Sequence, residues 1–353
     1  MKSGKIKVAL VGIGSLAKAL VEGVSYYTRN SEQTTGLMHP LVGNYRVKDI
    51  DFVCAFDVDE RKVGKKLHEA INMSSNISQK ITEPLEYSAM VYRGPTLDGV
   101  IDEMRGSFVH ESETSAVDVA HVLQESGAEV VVNLLPTGSD KATLFYAEAA
   151  LEAGCSFVNC IPTPLATTTL KEQFEKRGLV LLGDDIKSQL GATMLNRALL
   201  ELLKMRGVSV TRSVQENSGG NTDHVNLLYR SKAKEKSKSD ALAPFLDESG
   251  IRPTVQFFYT GKPSGHKVAK ITLEGEIFGR MPILIVSTIE DEISVNGAST
   301  VVDAIRMAKF LVDTKKQKEA EKVCAFLMKS PPLQMPDLEG VKWFDKLATL
   351  RSF

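Results

Sequence analysis

The stretch Lys5-Ile-Lys-Val-Ala-Leu-Val-Gly-Ile-Gly-Ser-Leu-Ala17 is an apolar run that breaks at two glycines and passes into an amphipathic segment through Tyr27. That order predicts a buried strand, a tight turn and a helix. Gly12 permits the sharp turn, Gly14 lets the backbone approach a pyrophosphate, and Ala17 stands in for a third glycine at the helix-sheet contact. The helix that begins at Ser15 and Leu16 offers its N-terminus to phosphate oxygens. A second apolar run, Ile50 to Phe56, ends at Asp57, the candidate acceptor for the adenosine ribose hydroxyls, which favours NAD. A polar connector, Thr28 to Gly43, accounts for its distance from the glycines, and Arg61 and Lys62 leave NADP open.

Working outward, residues 71–115 carry turn residues without clean periodicity and read as an irregular excursion. From Ala116 helix and strand alternate: a helix to Ser126, a strand Glu129–Leu135, a helix Asp140–Ala153, a strand Ser156–Ile161, a helix Thr168–Arg177 and a strand Leu179–Leu182. Such alternation implies a parallel sheet covered on both faces. Asn133 and Pro136, at the end of the first of these strands, are further expected cofactor contacts. After a glycine-rich turn and a helix, Ala192–Met205, the pattern becomes a run of strands at 208–215, 255–260, 267–274 and 283–290, a mostly antiparallel second sheet. Helices follow at Ser299–Val312 and Ala320–Met328. The expected fold class is α/β, a Rossmann-like doubly wound parallel sheet (residues 1–192 plus 299–353) with an inserted α+β domain (193–298).

At 353 residues the chain has room for two domains or one domain carrying an insertion. A formal net charge of -1 argues against a general nucleic-acid binder, so any basic site is local. The longest apolar stretches, 128–135 and 281–289, fall well short of the ~18 residues of a membrane span. Cys54, Cys155, Cys160 and Cys324 are scattered without C-x-x-C spacing and fit reduced thiols in the cytoplasm better than a zinc site or a disulfide framework.

The remaining chemistry is cationic. Arg230-Ser-Lys-Ala-Lys-Glu-Lys-Ser-Lys-Ser239 follows the polar run Gln215-Glu-Asn-Ser-Gly-Gly-Asn-Thr-Asp223. In a helix, Lys234 and Lys238 stand one turn apart on one face, where like charges repel by a few tenths of a kcal/mol unless an anion lies between them. Taken alone, the run also suits a solvated surface.

Gly183-Asp-Asp-Ile-Lys-Ser-Gln-Leu-Gly-Ala-Thr193 sets two carboxylates, a lysine and a serine ahead of a helix. It resembles the corresponding loop of the inositol-1-phosphate (inositol-3-phosphate) synthases, particularly the archaeal and actinobacterial type. Ala55-Phe-Asp-Val-Asp-Glu-Arg-Lys-Val-Gly64, Val158-Asn-Cys-Ile-Pro-Thr163, Gly219-Gly-Asn-Thr-Asp223, Leu273-Glu-Gly275, Val302-Asp-Ala-Ile-Arg306 and Leu327-Met-Lys-Ser-Pro-Pro332 agree in the same order, so the likeness covers nearly the whole chain.

The resemblance implies a redox-neutral, NAD-dependent cyclisation of glucose 6-phosphate: oxidation at C5, loss of a proton from C6, attack of C6 on the C1 aldehyde, and reduction of the ketone. It assigns Lys234, Lys238, Lys267 and Lys329, with Asn217 and Asp223, to catalysis, and Asp185 and Ser188 to the cofactor or substrate side. It also implies a homotetramer assembled through the inserted sheet, and a divalent cation or ammonium ion in some members; no metal ligand is assigned. Ammonium groups suit an enolate and an aldol alkoxide, which both develop negative charge.

Two departures stand out. Relatives carry an acidic residue two before the counterpart of Lys267, where this chain has Gly265, and Asp-Ser-Pro-Asn where it has Glu292-Ile-Ser-Val-Asn296. Asn296 aligns, but the aspartate falls on Ile293 unless Asp291 or Glu292 takes its role. His224 replaces a commonly aromatic residue and is assigned to packing or the substrate rim, and Lys236 is expected to face away from substrate. A cyclase of another sugar phosphate such as fructose 6-phosphate, or a non-catalytic NAD-binding regulator, stays open as an alternative.

Overall fold

The computed structural model describes residues 4–246 and 250–350. The first part of the chain runs β1 (Ile6–Val11), α1 (Ser15–Arg29), β2 (Ile50–Asp57), α2 (Leu67–Ala70), β3 (Met90–Arg93), α3 (Val119–Ser126), β4 (Val130–Asn133), α4 (Asp140–Ala153), β5 (Ser156–Asn159), α5 (Thr169–Lys176), β6 (Leu181–Leu182) and α6 (Ala192–Met205). The six strands are parallel in the order β3-β2-β1-β4-β5-β6, that of a dinucleotide-binding sheet. Strand β3 corrects the reading of residues 71–115 as wholly irregular: its four residues lie among turn residues and leave no periodicity to read, yet pair in parallel with Cys54–Asp57 of β2.

Apolar residues fill β1 because both its faces are covered. Ile6, Val8 and Leu10 pack in a core shared with α1, whereas Ala9 and Val11 pack in a second core with Val119 and Leu123 of α3 and Tyr146 and Ala150 of α4. Each large side chain sealed in these cores, such as Phe52 or Phe174, contributes about 1.5–3 kcal/mol.

The second part runs β7 (Ser209–Gly219), α7 (Thr222–Leu242), β8 (Thr254–Tyr259), β9 (His266–Glu276), β10 (Pro282–Glu292), α8 (Ile293–Asp313), α9 (Ala320–Leu327) and α10 (Asp337–Ala348). Its sheet has the order β10-β9-β7-β8, antiparallel except for the β7–β8 pair. The strand period of two divides it cleanly. Ile271, Leu273, Val210 and Val255 face a small core with Leu200 and Leu203 of α6, whereas Leu284, Val286, Val268 and Phe258 are exposed. Helix α8 starts earlier than Ser299, because Glu292 Oε2 accepts from Val295 N at 2.6 Å and caps it. The helix thus runs unbroken through the expected boundary at 298/299 and packs Val301, Ile305 and Phe310 into the core shared with α1. Helix α10 has no counterpart among the sequence-based expectations.

Candidate active site

The glycine turn is built as its residue types require. Gly12 has φ +85°, and a Cβ there would lie 3.0 Å from Leu134 O, so both backbone conformation and space exclude a side chain. Gly14 precedes α1 without a side-chain cap, which leaves the first N–H groups of that helix for a ligand. Asp57 closes the turn from below: Oδ2 accepts from Ile13 N at 2.7 Å, and Oδ1 accepts from Val58 N and Asp59 N. Lys62 Nζ lies 3.5 Å from Asp57, while Arg61 is engaged by Asp59. Gly12, Gly14, Ser15, Leu16, Ala17, Asp57, Pro136, Asp185 and Ser188 line one cavity. Asn133 does not reach it: the side chain is fully buried, donating to Thr143 and Asn159 and accepting from Leu135 N, so it holds the strand end in place.

The same cavity is lined by Lys234, Lys238, Lys267, Lys329 and Asp223. The four lysines arrive by three routes. Lys234 and Lys238 lie one turn apart on α7, which kinks at Arg230 (φ -130°, ψ 30°), where the guanidinium donates to Asp98 O at 2.8 Å. Lys236 on the same helix pairs outward with Asp240 and is 77% exposed, as the helical spacing predicts. Lys267 shares the inward face of β9 with Ala269 and Ile271, and its cross-strand neighbour is Asp291 of β10. Lys329 follows α9 and is drawn into place by backbone, its N donating to Asp185 O at 2.8 Å.

Asp185 is the anion at the centre. It adopts φ +62°, a left-handed conformation that a non-glycine residue occupies at some cost. Its carboxylate is fully buried, accepting from Lys329 Nζ at 2.8 Å and from Ser237 Oγ at 2.6 Å, with Lys234 Nζ at 3.5 Å. Burial alone would raise this carboxyl, but Lys234 and Lys329 outweigh it and hold it at about 2. Burial likewise opposes the charge on Lys234, yet Asp185 and Asp223 raise its pKa above the ordinary lysine value. Lys329 is lowered by burial, with Lys234 adding and Asp185 opposing. Lys238 has no carboxylate in contact: it donates to Asn217 Oδ1 at 2.9 Å and lies over the Phe257 ring, and burial followed by the charges of Lys267, Lys329 and Lys234 holds it well below its ordinary value. Asn217 therefore acts beneath the cavity, fixed by Gln215 and by Gln256 O. Lys267 meets Asp291 Oδ1 at 2.9 Å, and Asn296 also donates to Asp291.

The two neighbours in the 183–193 loop have structural work. Asp184 accepts from Asn159, Leu165 N and Ala166 N, and burial raises it to about 7. Lys187 donates to Asp337 at 2.9 Å, next to Arg197, tying the loop to α10 and α6. Ser237 and Asp337 were not anticipated; Ser237 stands between two lysines in sequence, and nothing local marks its bond to Asp185. All four cysteines are free and buried, and burial raises the thiol of Cys160, at the cavity wall, above its ordinary value.

A profile of the myo-inositol-1-phosphate synthase family matches residues 191–292, the segment from α6 through β10. Inositol-3-phosphate synthase of Mycolicibacterium smegmatis is 41% identical over 348 residues, covering 95% of both chains. The chain belongs to the inositol-3-phosphate synthase family. The enzyme of that name from Corynebacterium glutamicum is 41% identical over 352 residues, with 96% of each chain covered. Among solved structures, that of a protein named Ari2 superposes with a TM-score of 0.79 at 32% identity, covering 98% of each chain. Of the segments that carry the family likeness in sequence, 55–64, 158–163, 183–193, 219–223 and 327–332 contribute residues to the cavity, whereas 273–275 and 302–306 place residues in the hydrophobic cores. Among the described residues no helix is long and apolar enough to cross a membrane, and no group of three or more His, Cys, Asp or Glu side chains stands ready to hold a metal ion.

Proposed function

We propose that the protein cyclises D-glucose 6-phosphate to 1D-myo-inositol 3-phosphate, with NAD as a cofactor that ends each turnover as it began. The reading is carried by one arrangement: four lysine side chains line the same cavity as the Gly12–Ala17 turn. The relatives named inositol-3-phosphate synthase support it. NAD fits the turn, because a Cβ at Gly12 would fill the space against Leu134 and the bare start of α1 suits a pyrophosphate. Asp57 would hold the adenosine ribose of a bound NAD, and Pro136 and Ser188, which line the same cavity, would contact it. When bound, NAD supplies the hydride acceptor and donor.

The chain's own residues do the rest. Ammonium groups bind the phosphate and stabilise the enolate and then the alkoxide, in a site whose burial strengthens each interaction. Lys238, with its depressed pKa, is suited to take a proton at Nζ, and Lys234, with its raised one, to stay charged beside developing negative charge. Asp185 and Asp291 orient Lys329 and Lys267.

The same reading includes a division into a nucleotide-binding part (1–192 plus 299–353, of which 1–3 and 351–353 lie outside the described residues) and an inserted catalytic part (193–298). It includes a cytoplasmic homotetramer, with copies meeting on the exposed sheet face of Leu284 and Val286. The test is product identity by NMR from glucose 6-phosphate and, separately, fructose 6-phosphate, each with catalytic NAD. Inositol phosphate without net NADH is expected. A five-membered carbocycle from fructose 6-phosphate, stoichiometric NADH, or tight NAD binding without turnover would each replace this reading with a different one. Adding ammonium or a divalent cation to the same assay settles the ion requirement.

A further inference from the structure

Among the described residues, three side-chain atoms of the cavity lining are buried without a hydrogen-bond partner, Ser75 Oγ, Thr137 Oγ1 and His224 Nε2, and of these the imidazole alone has no hydroxyl that can turn to donate. His224 sits in the first turn of α7, 2% exposed, and its Nε2 is buried without a hydrogen-bond partner while the ring lines the cavity with Lys234, Lys238 and Lys267. Its other nitrogen is committed. Asn221 Oδ1 accepts from His224 N at 3.0 Å, which fixes the amide's orientation, and the same oxygen lies 2.8 Å from His224 Nδ1. An amide oxygen only accepts, so Nδ1 carries the proton and Nε2 presents a bare lone pair. The ring cannot swing away: Phe257 meets it edge to face, and it occupies the space a Cβ at Gly219 would need.

We propose that His224 Nε2 accepts a hydrogen bond from a hydroxyl group of the bound sugar phosphate and so reads the carbon chain, not the phosphate. The inference rests on the function proposed above. Burial, reinforced by Lys238, Lys267 and Lys234 and opposed by Asp223, pushes the imidazole down to about 4, so the ring stays neutral near pH 7. A neutral acceptor repels phosphate oxygens, which leaves the phosphate to the ammonium groups and a donor to His224. A buried acceptor without a donor is costly, and a hydroxyl removes that cost only in the correctly bound substrate.

The test uses NADH-loaded protein and D-glucitol 6-phosphate, which has no aldehyde and cannot be oxidised by NADH, titrated calorimetrically beside its monodeoxy derivatives. In the wild type one derivative should bind about tenfold or more weaker than the parent. His224→Phe should bind the parent with that same loss and show no further loss for that derivative. His224→Gln, which keeps an acceptor oxygen, should retain the discrimination, and it carries the test if the Phe variant does not fold. The inference is overturned if His224→Phe binds the parent as the wild type does, if the full derivative penalty persists in it, or if only its NADH affinity falls, which would assign Nε2 to the nicotinamide carboxamide. Failure of the wild type to bind glucitol 6-phosphate at all would overturn the proposed function together with this inference, whereas the other outcomes leave the function standing.

Discussion

Replacing Asp185 by Asn removes the anion around which the lysines assemble while keeping side-chain volume. At an effective dielectric of ~20, unit charges 2.8 Å apart, as for Lys329, attract by about 6 kcal/mol, and those 3.5 Å apart, as for Lys234, by about 5 kcal/mol. These gross attractions are largely offset by desolvation. The net is better gauged by the carboxyl itself, held at about 2 against an ordinary 3.8, a difference of roughly 2.5 kcal/mol. Because the folded-state pKa is depressed, this stabilisation is present above about pH 4 and is lost as pH falls through about 2. Removing one partner of a buried pair costs about 3–5 kcal/mol, since the remaining charges stay behind. The variant should therefore melt roughly 4–7 °C lower at pH 7. Without Asp185, burial is no longer outweighed at Lys234, whose pKa must fall. The alkaline limb of kcat/KM should move to lower pH by about one unit or more, each unit corresponding to about 1.4 kcal/mol. Differential scanning fluorimetry and a pH series of product formation measure both. An unchanged alkaline limb with an unchanged melting temperature would refute the role given to Asp185.

Replacing Lys329 or Lys267 by Ala should abolish detectable product while NAD stays bound; full rates in either variant would remove that lysine from the mechanism. Gly12→Ala forces a Cβ to 3.0 Å from Leu134 O at φ +85°, so NAD affinity by titration should fall at least about tenfold, and wild-type affinity would mean that the turn does not hold the cofactor. Leu284→Lys combined with Val286→Lys places charge on the exposed sheet face and should split the proposed tetramer, as read by light scattering; an intact assembly moves the interface elsewhere.

The charge pattern explains why the lysines differ. Four lysines face two carboxylates in direct contact, Asp185 and Asp291, with Asp223 adding its negative charge near Lys234, so protonating all four leaves a surplus of positive charge that a phosphate dianion relieves. The surplus falls on Lys238, which has only an amide oxygen and a ring face for company. The protonation state of Lys238 is thus coupled to anion binding: a bound dianion favours the ammonium form, and its departure favours the amine.

Features set by near neighbours were legible in the sequence, and those set by register or by distant partners were not. Strand, glycine turn and helix follow one another within β1 and α1, so their order could be read directly. Helical spacing put Lys234 and Lys238 on one face and Lys236 on the other. That Asp185 of the 183–193 loop and Lys329 beyond α9 meet those lysines depends on how the strands are ordered, which only the likeness along the whole chain conveyed. The departures near Lys267 needed the pairing of β9 with β10. Register sets Asp291 directly opposite Lys267, so the carboxylate comes from the strand and not from the position of Ile293. Glu292, one residue on, caps α8 with one oxygen and fills with the other the space a Cβ at residue 265 would need. Gly265 and Glu292 look like separate losses in the sequence, but they form a single packing arrangement: a side chain at 265 would displace the cap of α8, while Asp291 already supplies the negative charge that Lys267 requires.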